Sequence, residues 1–357
     1  MRIAQVAPLW EPVPPRAYGG IELVVSHLTD ELVRRGHEVT LFASGDSQTL
    51  AELEAVYPRA IRSDPQVQEY AVYEMLELSR LCERAADFDI IHSHVGCVAL
   101  PFTSLLKTPA VHTLHGDFKH DNRKLFAHYH RQPYISISNA QRRPEPQLNY
   151  IRTVYNGIQP QDYAFQAKPQ DPPYLAFLGR MSPEKGPHHA IAIAKQSGWR
   201  LKMAGKVDVA DRAFFEQEIA PQIDGKQIEY LGEANHAEKV ELLGNAAITL
   251  FPINWQEPFG LVMIESMCTG TPVLGFGMGS VPEVIAHGQT GFVCHSLEDM
   301  IALIPDALKL SRQTCRDYVV SRFSVTRMVD DYEAAYQQLL KSRISMNGQI
   351  RVSSAAF

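Results

Sequence analysis

Short apolar segments recur through the second half of the chain, and each is separated from the next by a stretch long enough for a helix. They lie at about 174–179, 200–204, 228–232, 247–252, 272–276 and 291–294. Strands that alternate with helices in this way predict a parallel sheet with helices on both faces. The first half begins in the same manner, with a strand at about 2–7, a glycine-containing turn, a helical pattern to Gly36 and a further strand at 37–43. We therefore expect an α/β protein with two doubly wound domains.

The domain boundary is expected in the segment 159–173, which is rich in Pro, Gln and Asp and has the composition of a linker. A chain of 357 residues is long enough for two full hydrophobic cores. We predict a first domain over 1–160 and a second over 161–324. An amphipathic helix follows at about 325–342, and 343–357 lacks periodicity, which is typical of a loose tail.

The stretch from Glu257 to Glu265 carries the strongest functional signal. Pro258 is suited to the first position of a helix, so we place the helix start there. The amides of Phe259, Gly260, Leu261 and Val262 would then form a first helical turn, which attracts a phosphate or a hydroxyl. Glu265, about two turns on, could accept hydrogen bonds from two vicinal hydroxyls, as on a ribose. Taken alone, the pattern also fits a capped helix with a solvated Glu.

Two cations lie in the loop that follows the strand at 174–178. Arg180 and Lys185 are separated by a Ser-Pro turn, so both can converge beyond the end of that strand. Ligands of open α/β sheets bind at the carboxyl ends of strands, where Glu257 is also expected. The alternative interpretation is a pair of solvated cations around a turn.

Taken together, Arg180, Lys185, Glu257 and Glu265 resemble the donor site of the retaining glycosyltransferases of family 4, which have the GT-B fold. The match is closer to the subgroup of the avilamycin-pathway glycosyltransferase, through Ala204-Gly-Lys-Val, Gly232-Glu and the segment 251–265. The resemblance extends over about residues 1–340. It implies two Rossmann-like domains that face each other across a cleft, with the helix at 325–342 crossing back to the first domain.

The resemblance also implies an activity and a role for each of these residues. It implies transfer of a hexosyl group from a nucleotide-diphosphate sugar, UDP-glucose or a similar UDP-hexose, in carbohydrate biosynthesis. Arg180 and Lys185 would stabilise the leaving diphosphate, which itself helps to deprotonate the acceptor. Glu257 would bind hydroxyls of the transferred sugar, and Glu265 those of the ribose. No cofactor is implied beyond this co-substrate.

Three residues of the first domain belong to the implied site. Gly19 and Gly20 let the backbone approach the distal phosphate or sugar of the donor at a helix N-terminus, although a tight turn without a ligand would use the same residues. His115 ends a strand, and the resemblance implies that it contacts the transferred sugar. His92 and His94 end another strand, where a structural role is the commoner outcome.

Composition and charge narrow the function further. A formal charge of −6 gives no reason to expect nucleic acid as a partner. The five cysteines have no metal-ligand spacing and, without a signal peptide, are typical of a cytoplasmic protein. The one Asp-x-Asp, at 87–89, precedes a strand and so lies away from the ligand end. We therefore predict no metal site and metal-independent transfer.

The acceptor is not specified by any motif, so a small molecule, a glycan or a lipid-linked molecule all stay open. The segment 119–152 is basic, which fits a solvated surface, an anionic acceptor or peripheral contact with the inner membrane face. Other enzyme classes are a GT-B phosphorylase, which would need a pyridoxal lysine and a longer chain, and a nucleotide-sugar epimerase. A catalytically silent nucleotide-sugar-binding protein is the alternative outside enzymes.

Overall fold

The computed structural model describes residues 1–16, 19–62 and 64–353, with side chains described as far as residue 342. The described residues fall into two compact units. The first comprises those in Met1–Ile137, Arg142–Gly157 and Val325–Phe357, and the second those in Ser138–Gln141 and Ile158–Ser324.

The first unit is built on a sheet of seven parallel strands in the order β3-β2-β1-β4-β5-β6-β7. From β1 the chain first adds strands β2 and β3 on one side of the sheet and then adds β4 to β7 on the other side. The loops after β1 and β4 therefore meet at a topological switch point. The strands are β1 (Arg2–Val6), β2 (Glu38–Phe42), β3 (Glu52–Glu54), β4 (Ile90–Ser93), β5 (Ala110–Leu114), β6 (Tyr134–Ser136) and β7 (Tyr150–Thr153). The helices are α1 (Gly20–Arg34), α2 (Tyr70–Arg84), α3 (Leu100–Thr103), α4 (Asn122–His128) and, at the end of the chain, α13 (Val325–Ser353).

Helix α13 is the amphipathic helix expected near the C-terminus. Its apolar stripe packs into the first unit and buries Met328, Val329, Tyr332 and Tyr336. The spacing of these residues by three and four positions places them on one face of the helix. The helix continues past the expected end, to Ser353, and the rest of the expected tail, 354–357, lies outside the described residues.

The second unit contains a sheet of six parallel strands in the order β10-β9-β8-β11-β12-β13. All six apolar segments predicted as strands in this half are confirmed. The strands are β8 (Leu175–Leu178), β9 (Leu201–Ala204), β10 (Ile228–Tyr230), β11 (Ile248–Phe251), β12 (Val273–Phe276) and β13 (Gly291–Cys294). The helices are α5 (Pro187–Ser197), α6 (Arg212–Phe214), α7 (His236–Asn245), α8 (Leu261–Cys268), α9 (Val281–Val284), α10 (Leu297–Ala302), α11 (Ile304–Ala307) and α12 (Arg312–Arg322).

The strand order of the second unit positions the candidate site. Strands β8 and β11 are neighbours, and the chain proceeds outward from them in opposite directions. The crevice outside their carboxyl ends is the usual ligand position in such a sheet. The loops that follow β8 and β11 carry Arg180, Lys185 and Glu257, so the topology brings these loops together.

Two further expectations can be compared with the described residues. The segment predicted as a linker is partly packed, since Tyr163 is buried and the amide of Gln166 donates to the carbonyl of Thr269 at 2.9 Å. Among the described residues, no helix combines the length and the apolar character that a membrane span requires.

Candidate functional site

Two loops of the second unit form the frame of the candidate site. The first follows β8 and the second follows β11, and the amide of Asn254 in the second donates to the carbonyl of Glu184 in the first at 2.7 Å. This bond joins the loops directly, so residues about 70 positions apart in sequence are held at the same end of the sheet.

Lys185 and Glu257 form the centre of this frame. The Lys185 ammonium contacts Oε2 of Glu257 and lies 4.7 Å from the centroid of the Trp255 ring. Trp255 Nε1 donates to the same carboxylate oxygen at 3.0 Å. The Glu257 side chain is only 9% exposed, so it is fixed by these donors and does not move freely in water. The structure thus pairs the cation and the carboxylate that the sequence had placed on separate loops.

Arg180 lies in the same loop as Lys185 but has acidic neighbours of its own. Its guanidinium contacts Glu184, and it lies 3.5 Å from Asp208 Oδ2 and 3.7 Å from Asp211 Oδ2. Burial raises the pKa of Asp211, and the nearby Arg180 opposes that rise. A phosphate that binds Arg180 must therefore compete with carboxylates for the guanidinium. No sequence pattern indicated these neighbours, although Asp208 and Asp211 follow closely on the Ala204-Gly-Lys-Val motif.

The helix that follows Glu257 starts later than predicted. It was expected to begin at about Pro258, but α8 begins at Leu261 and Gly260 is its N-cap. Gly260 has a φ of +79°, and a Cβ there would lie 2.8 Å from Met263 Cε and 2.9 Å from Phe251 Cζ. The positive φ and the lack of space for a Cβ mean that only glycine fits at this position without strain. Leu261 and Val262 therefore supply first-turn amides, while Phe259 and Gly260 precede the helix.

Gly279 and Ser280, in the turn after β12, hold the Glu257 loop in place. The Ser280 amide donates to the Glu257 carbonyl at 2.9 Å, and its hydroxyl donates to the Phe259 carbonyl at 2.7 Å. Gly279 has a φ of +56°, and a Cβ there would lie 2.4 Å from the Glu257 nitrogen. The close backbone approach at this turn is therefore to the Glu257 loop.

Glu265 lies on α8, buried with two donors on one oxygen. Its Oε1 accepts from Lys239 Nζ at 2.6 Å and from the Tyr163 hydroxyl at 3.0 Å. Among the described residues, none donates to its Oε2. Burial and the adjacent Glu265 carboxylate raise the pKa of Tyr163 well above its ordinary value, so the phenol keeps its proton. Lys239 and Tyr163 were missed by sequence reasoning, since one lies on an ordinary amphipathic helix and the other in the expected linker.

The predicted residues of the first unit lie in the segments that follow two of its central strands, β1 and β5. Gly19 caps α1 and Gly20 is the first residue of that helix. His115 follows β5, and its Nε2 lies 2.9 Å from Nδ1 of His94. Burial lowers the pKa of His115 to about 4, so its imidazole is neutral near pH 7. His94 is buried against His115 and Gln5, in keeping with the structural role expected for it.

Two family descriptions match consecutive parts of the chain. "Glycosyltransferase Family 4" matches residues 18–161, and "Glycosyl transferases group 1" matches residues 159–319. The chain belongs to glycosyltransferase family 4.

Known proteins resemble this glycosyltransferase over most of their length. An uncharacterized glycosyltransferase of Methanocaldococcus jannaschii is 26% identical to it, over 90% of this chain and 92% of the relative. The crystal structure of AviGT4, a glycosyltransferase involved in avilamycin A biosynthesis, matches with a TM-score of 0.71 and 24% identity, over 96% of this chain and 98% of that one. The structure of Anabaena Alr3699/HepE in complex with UDP and glucose matches with a TM-score of 0.74 and 18% identity, over 95% and 100% of the two chains. The predicted GT-B fold class, with two Rossmann-like parallel-sheet domains, is confirmed.

Three basic side chains of the segment 119–152 of this glycosyltransferase form ion pairs with neighbouring acids. Arg123 pairs with Glu145 at 3.0 Å, Lys124 with Asp121 at 3.3 Å, and Arg152 with Asp331 at 2.9 Å. Arg142 lies 4.9 Å from the centroid of the Tyr150 ring. These pairs reduce the positive field of the segment.

The acids considered as metal ligands are used otherwise. Asp87 lies 3.3 Å from Arg84, and Asp89 lies 3.0 Å from Arg2 at the amino end of β4. In the described parts of the chain, no group of three or more His, Cys, Asp or Glu side chains is arranged to hold a metal ion.

Proposed function

We propose that this glycosyltransferase moves a hexosyl group from a nucleotide-diphosphate sugar, UDP-glucose or a similar UDP-hexose, to an acceptor hydroxyl with retention of configuration and without a metal ion. The observation that carries the proposal is the Lys185–Glu257 pair, which joins the loops after β8 and β11 at the switch point of the sheet, four residues before α8 begins. The fold shared with Alr3699/HepE, a protein solved with UDP and glucose, supports this class of donor.

The charges of the site suit the departure of a diphosphate. Cleavage of the bond between the anomeric carbon and the phosphate oxygen places negative charge on the leaving group. Lys185, Arg180 and the α8 amides would meet that charge as it develops, which lowers the barrier more than it stabilises the bound donor. Binding would exchange the contact of Lys185 with Glu257 for one with phosphate and so free an oxygen of Glu257 for a sugar hydroxyl.

The remaining roles follow from the same arrangement. The open Oε2 of Glu265 would accept hydrogen bonds from the ribose, and His115 would accept one from the transferred sugar. Gly19 and Gly20 would approach the distal phosphate or sugar. The acceptor oxygen would attack on the face from which the diphosphate leaves, and its proton would pass to a phosphate oxygen. No side chain is then needed as a dedicated base.

Thermal-shift titration tests the donor. The purified protein is screened against UDP, GDP, ADP and their hexose conjugates, and we expect a UDP-hexose to raise the melting temperature most. Acceptors of each class, small molecules, glycans and lipid-linked sugars, are then screened with that donor. Stabilisation by none of these nucleotides would contradict the proposal.

Product analysis tests the reaction. Proton NMR of the product should show the anomeric configuration of the donor, and excess EDTA should leave the rate unchanged. Loss of activity in EDTA with recovery on addition of Mn²⁺ would overturn metal independence. Conversion of the donor sugar with no acceptor present would instead identify an epimerase, and binding with neither transfer nor slow hydrolysis would identify a silent binding protein.

We place this transferase in the cytoplasm, with the basic segment 119–152 as the surface for any peripheral contact with the inner membrane. Co-sedimentation with anionic vesicles tests that contact. Because ion pairs hold Arg123, Lys124 and Arg152, we expect weak binding that salt abolishes.

A further inference from the structure

The first unit contains a continuous network of hydrogen-bonded polar side chains that ends at His115. This polar network joins strands β1, β4 and β5 to helix α13, and every member except His115 is buried. Its members are Gln5, His92, His94, Thr113, His115, Tyr332 and Tyr336. Such a network in a core is costly unless each donor meets an acceptor, so the direction of its hydrogen bonds is constrained.

The direction is set at Gln5. Its Nε2 donates to the Tyr336 hydroxyl at 3.1 Å, and its Oε1 lies 3.0 Å from Nε2 of His94. An amide oxygen only accepts, so Nε2 of His94 carries the hydrogen. Burial and the neighbouring histidines hold the pKa of His94 well below its ordinary value, so the ring is neutral and its Nδ1 is bare. His115 must then donate to that nitrogen from its own Nε2, at 2.9 Å.

The second arm of the polar network, from Tyr336 to Tyr332, agrees with this direction. Because the Tyr336 hydroxyl accepts from Gln5, its own hydrogen is free to point to Nδ1 of His92, which lies 2.7 Å away. Nε2 of the neutral His92 can then donate to the Thr113 hydroxyl at 2.7 Å, which donates in turn to the Tyr332 hydroxyl at 3.3 Å. Every bond in both arms is thus satisfied by one orientation of the Gln5 amide.

We propose that Gln5 and His94 are positioning residues that fix His115 in the tautomer with hydrogen on Nε2, which leaves Nδ1 as a hydrogen-bond acceptor for the ligand. If the proposed function holds, His115 then selects a donor sugar that has a hydroxyl at the contacted position. A sugar without that hydroxyl leaves Nδ1 without a hydrogen-bond donor. In a sugar that has only an acceptor atom at this position, a lone pair of that atom faces the lone pair of Nδ1 and the two repel.

Nitrogen NMR of the full-length protein labelled with ¹⁵N-histidine tests the tautomer directly. The chain contains 14 histidines, and the His115 signals are those absent from the His115→Gln variant. We expect one bare nitrogen at Nδ1 and one protonated nitrogen at Nε2. The reverse assignment in the wild-type protein would mean that the Gln5 amide has the opposite orientation, and it would overturn the proposal.

Variants test whether the polar network fixes that tautomer. Gln5→Met removes both hydrogen bonds of the amide at similar volume, so we expect the two His115 nitrogens to shift toward each other as the tautomers mix. Tyr336→Phe, which removes one hydroxyl, should give a smaller shift in the same direction. Thr103→Val is the matched control, since Thr103 is buried and contacts His112, which is not a member of the polar network. Unchanged His115 signals in folded Gln5→Met would contradict the proposal.

Donor selection is measured with a series of monodeoxy analogues of the best donor. At one position we expect the wild-type enzyme to lose roughly tenfold to a hundredfold in kcat/KM, and Gln5→Met to lose much less of its own activity there. Equal losses in wild type and His115→Ala at every position would overturn the selection step. Absence of any donor binding would refute the proposed function but leave the NMR result standing, so the two failures are distinguishable.

Discussion

Loss of Lys239 should destabilise the second unit through the charge that it leaves behind. Lys239 and Glu265 lie 2.6 Å apart, and their side chains are only 17% and 4% exposed. At an effective dielectric constant of about 20, a pair at this distance attracts by roughly 6 kcal/mol before desolvation is subtracted. Removing one partner of such a buried pair costs about 3 to 5 kcal/mol. Because Tyr163 still donates to Glu265, we expect Lys239→Met to lower the free energy of unfolding by about 2 to 3 kcal/mol.

A double-mutant cycle separates the pair from the rest of the site. Lys239→Met with Glu265→Gln removes both charges, so the double variant should lose less stability than the sum of the two single variants, with a coupling of about 1 to 3 kcal/mol. Lys309→Met is the matched control, since Lys309 lies 2.8 Å from Asp306 but both side chains are exposed. We expect that variant to change stability by less than about 1 kcal/mol.

The assay must report on the second unit alone, because a chain with two units need not unfold in one step. The chain has three tryptophans, and in a Trp10→Phe background the remaining two, Trp199 and Trp255, both lie in the second unit. Their fluorescence in urea gives the unfolding free energy of that unit. A loss for Lys239→Met no larger than that of Lys309→Met, or strictly additive single variants, would refute the reasoning about the buried pair.

Three further outcomes follow from the same contacts. Lys185→Ala should lower kcat about a hundredfold or more in steady-state assays, since removal of one group that stabilises developing charge costs roughly 3 to 4 kcal/mol; a change below tenfold would count against its role. Gly279→Ala, whose Cβ would lie 2.4 Å from the Glu257 nitrogen, should lower kcat more than Gly288→Ala, a control that also has a positive φ but nothing within 4 Å. Burial raises the pKa of Glu22 to about 7, above its ordinary value of 4.5, so the folded chain retains a proton that the unfolded chain releases between these values. Its contribution to stability should therefore be intact at low pH and fall by about 3 kcal/mol as the pH rises through this window, and urea titrations of Glu22→Gln should lack that slope.

The architecture could be predicted because its signals are local. A buried parallel strand is a short apolar run, and each of the six runs in the second half became a strand. Strand order also follows from general rules of connection, so the loops that bear Lys185 and Glu257 could be placed at one end of a sheet. The helix start was misplaced because a tertiary contact decides it: the Phe251 ring occupies the space beside Gly260, and Pro258 alone could not reveal this.

The partners of the charged residues could not be predicted, because they come from other segments of the chain. Arg180 meets Asp208 and Asp211 from the loop after β9, and Glu265 meets Lys239 from α7. Asp208, Asp211 and Lys239 do not belong to motifs with a recognisable spacing. Sequence patterns therefore indicated which residues carry the charge, but the tertiary structure determines what each charge must give up before it can bind a ligand.

This distinction bears on how the Glu257 loop can act in catalysis. The loop is tied through Asn254 to the loop after β8, through Ser280 to the turn after β12, and through its own carboxylate to Lys185 and Trp255. A loop tied to two neighbouring segments in this way loses little further conformational entropy when a ligand binds, and its groups need little reorganisation as charge develops. The tie through Lys185 differs from the backbone ties, because a phosphate can replace the carboxylate as the partner of the ammonium. Substitution of Lys185 should therefore affect turnover, whereas substitution of Gly279 should disturb the shape of the loop before any ligand is bound.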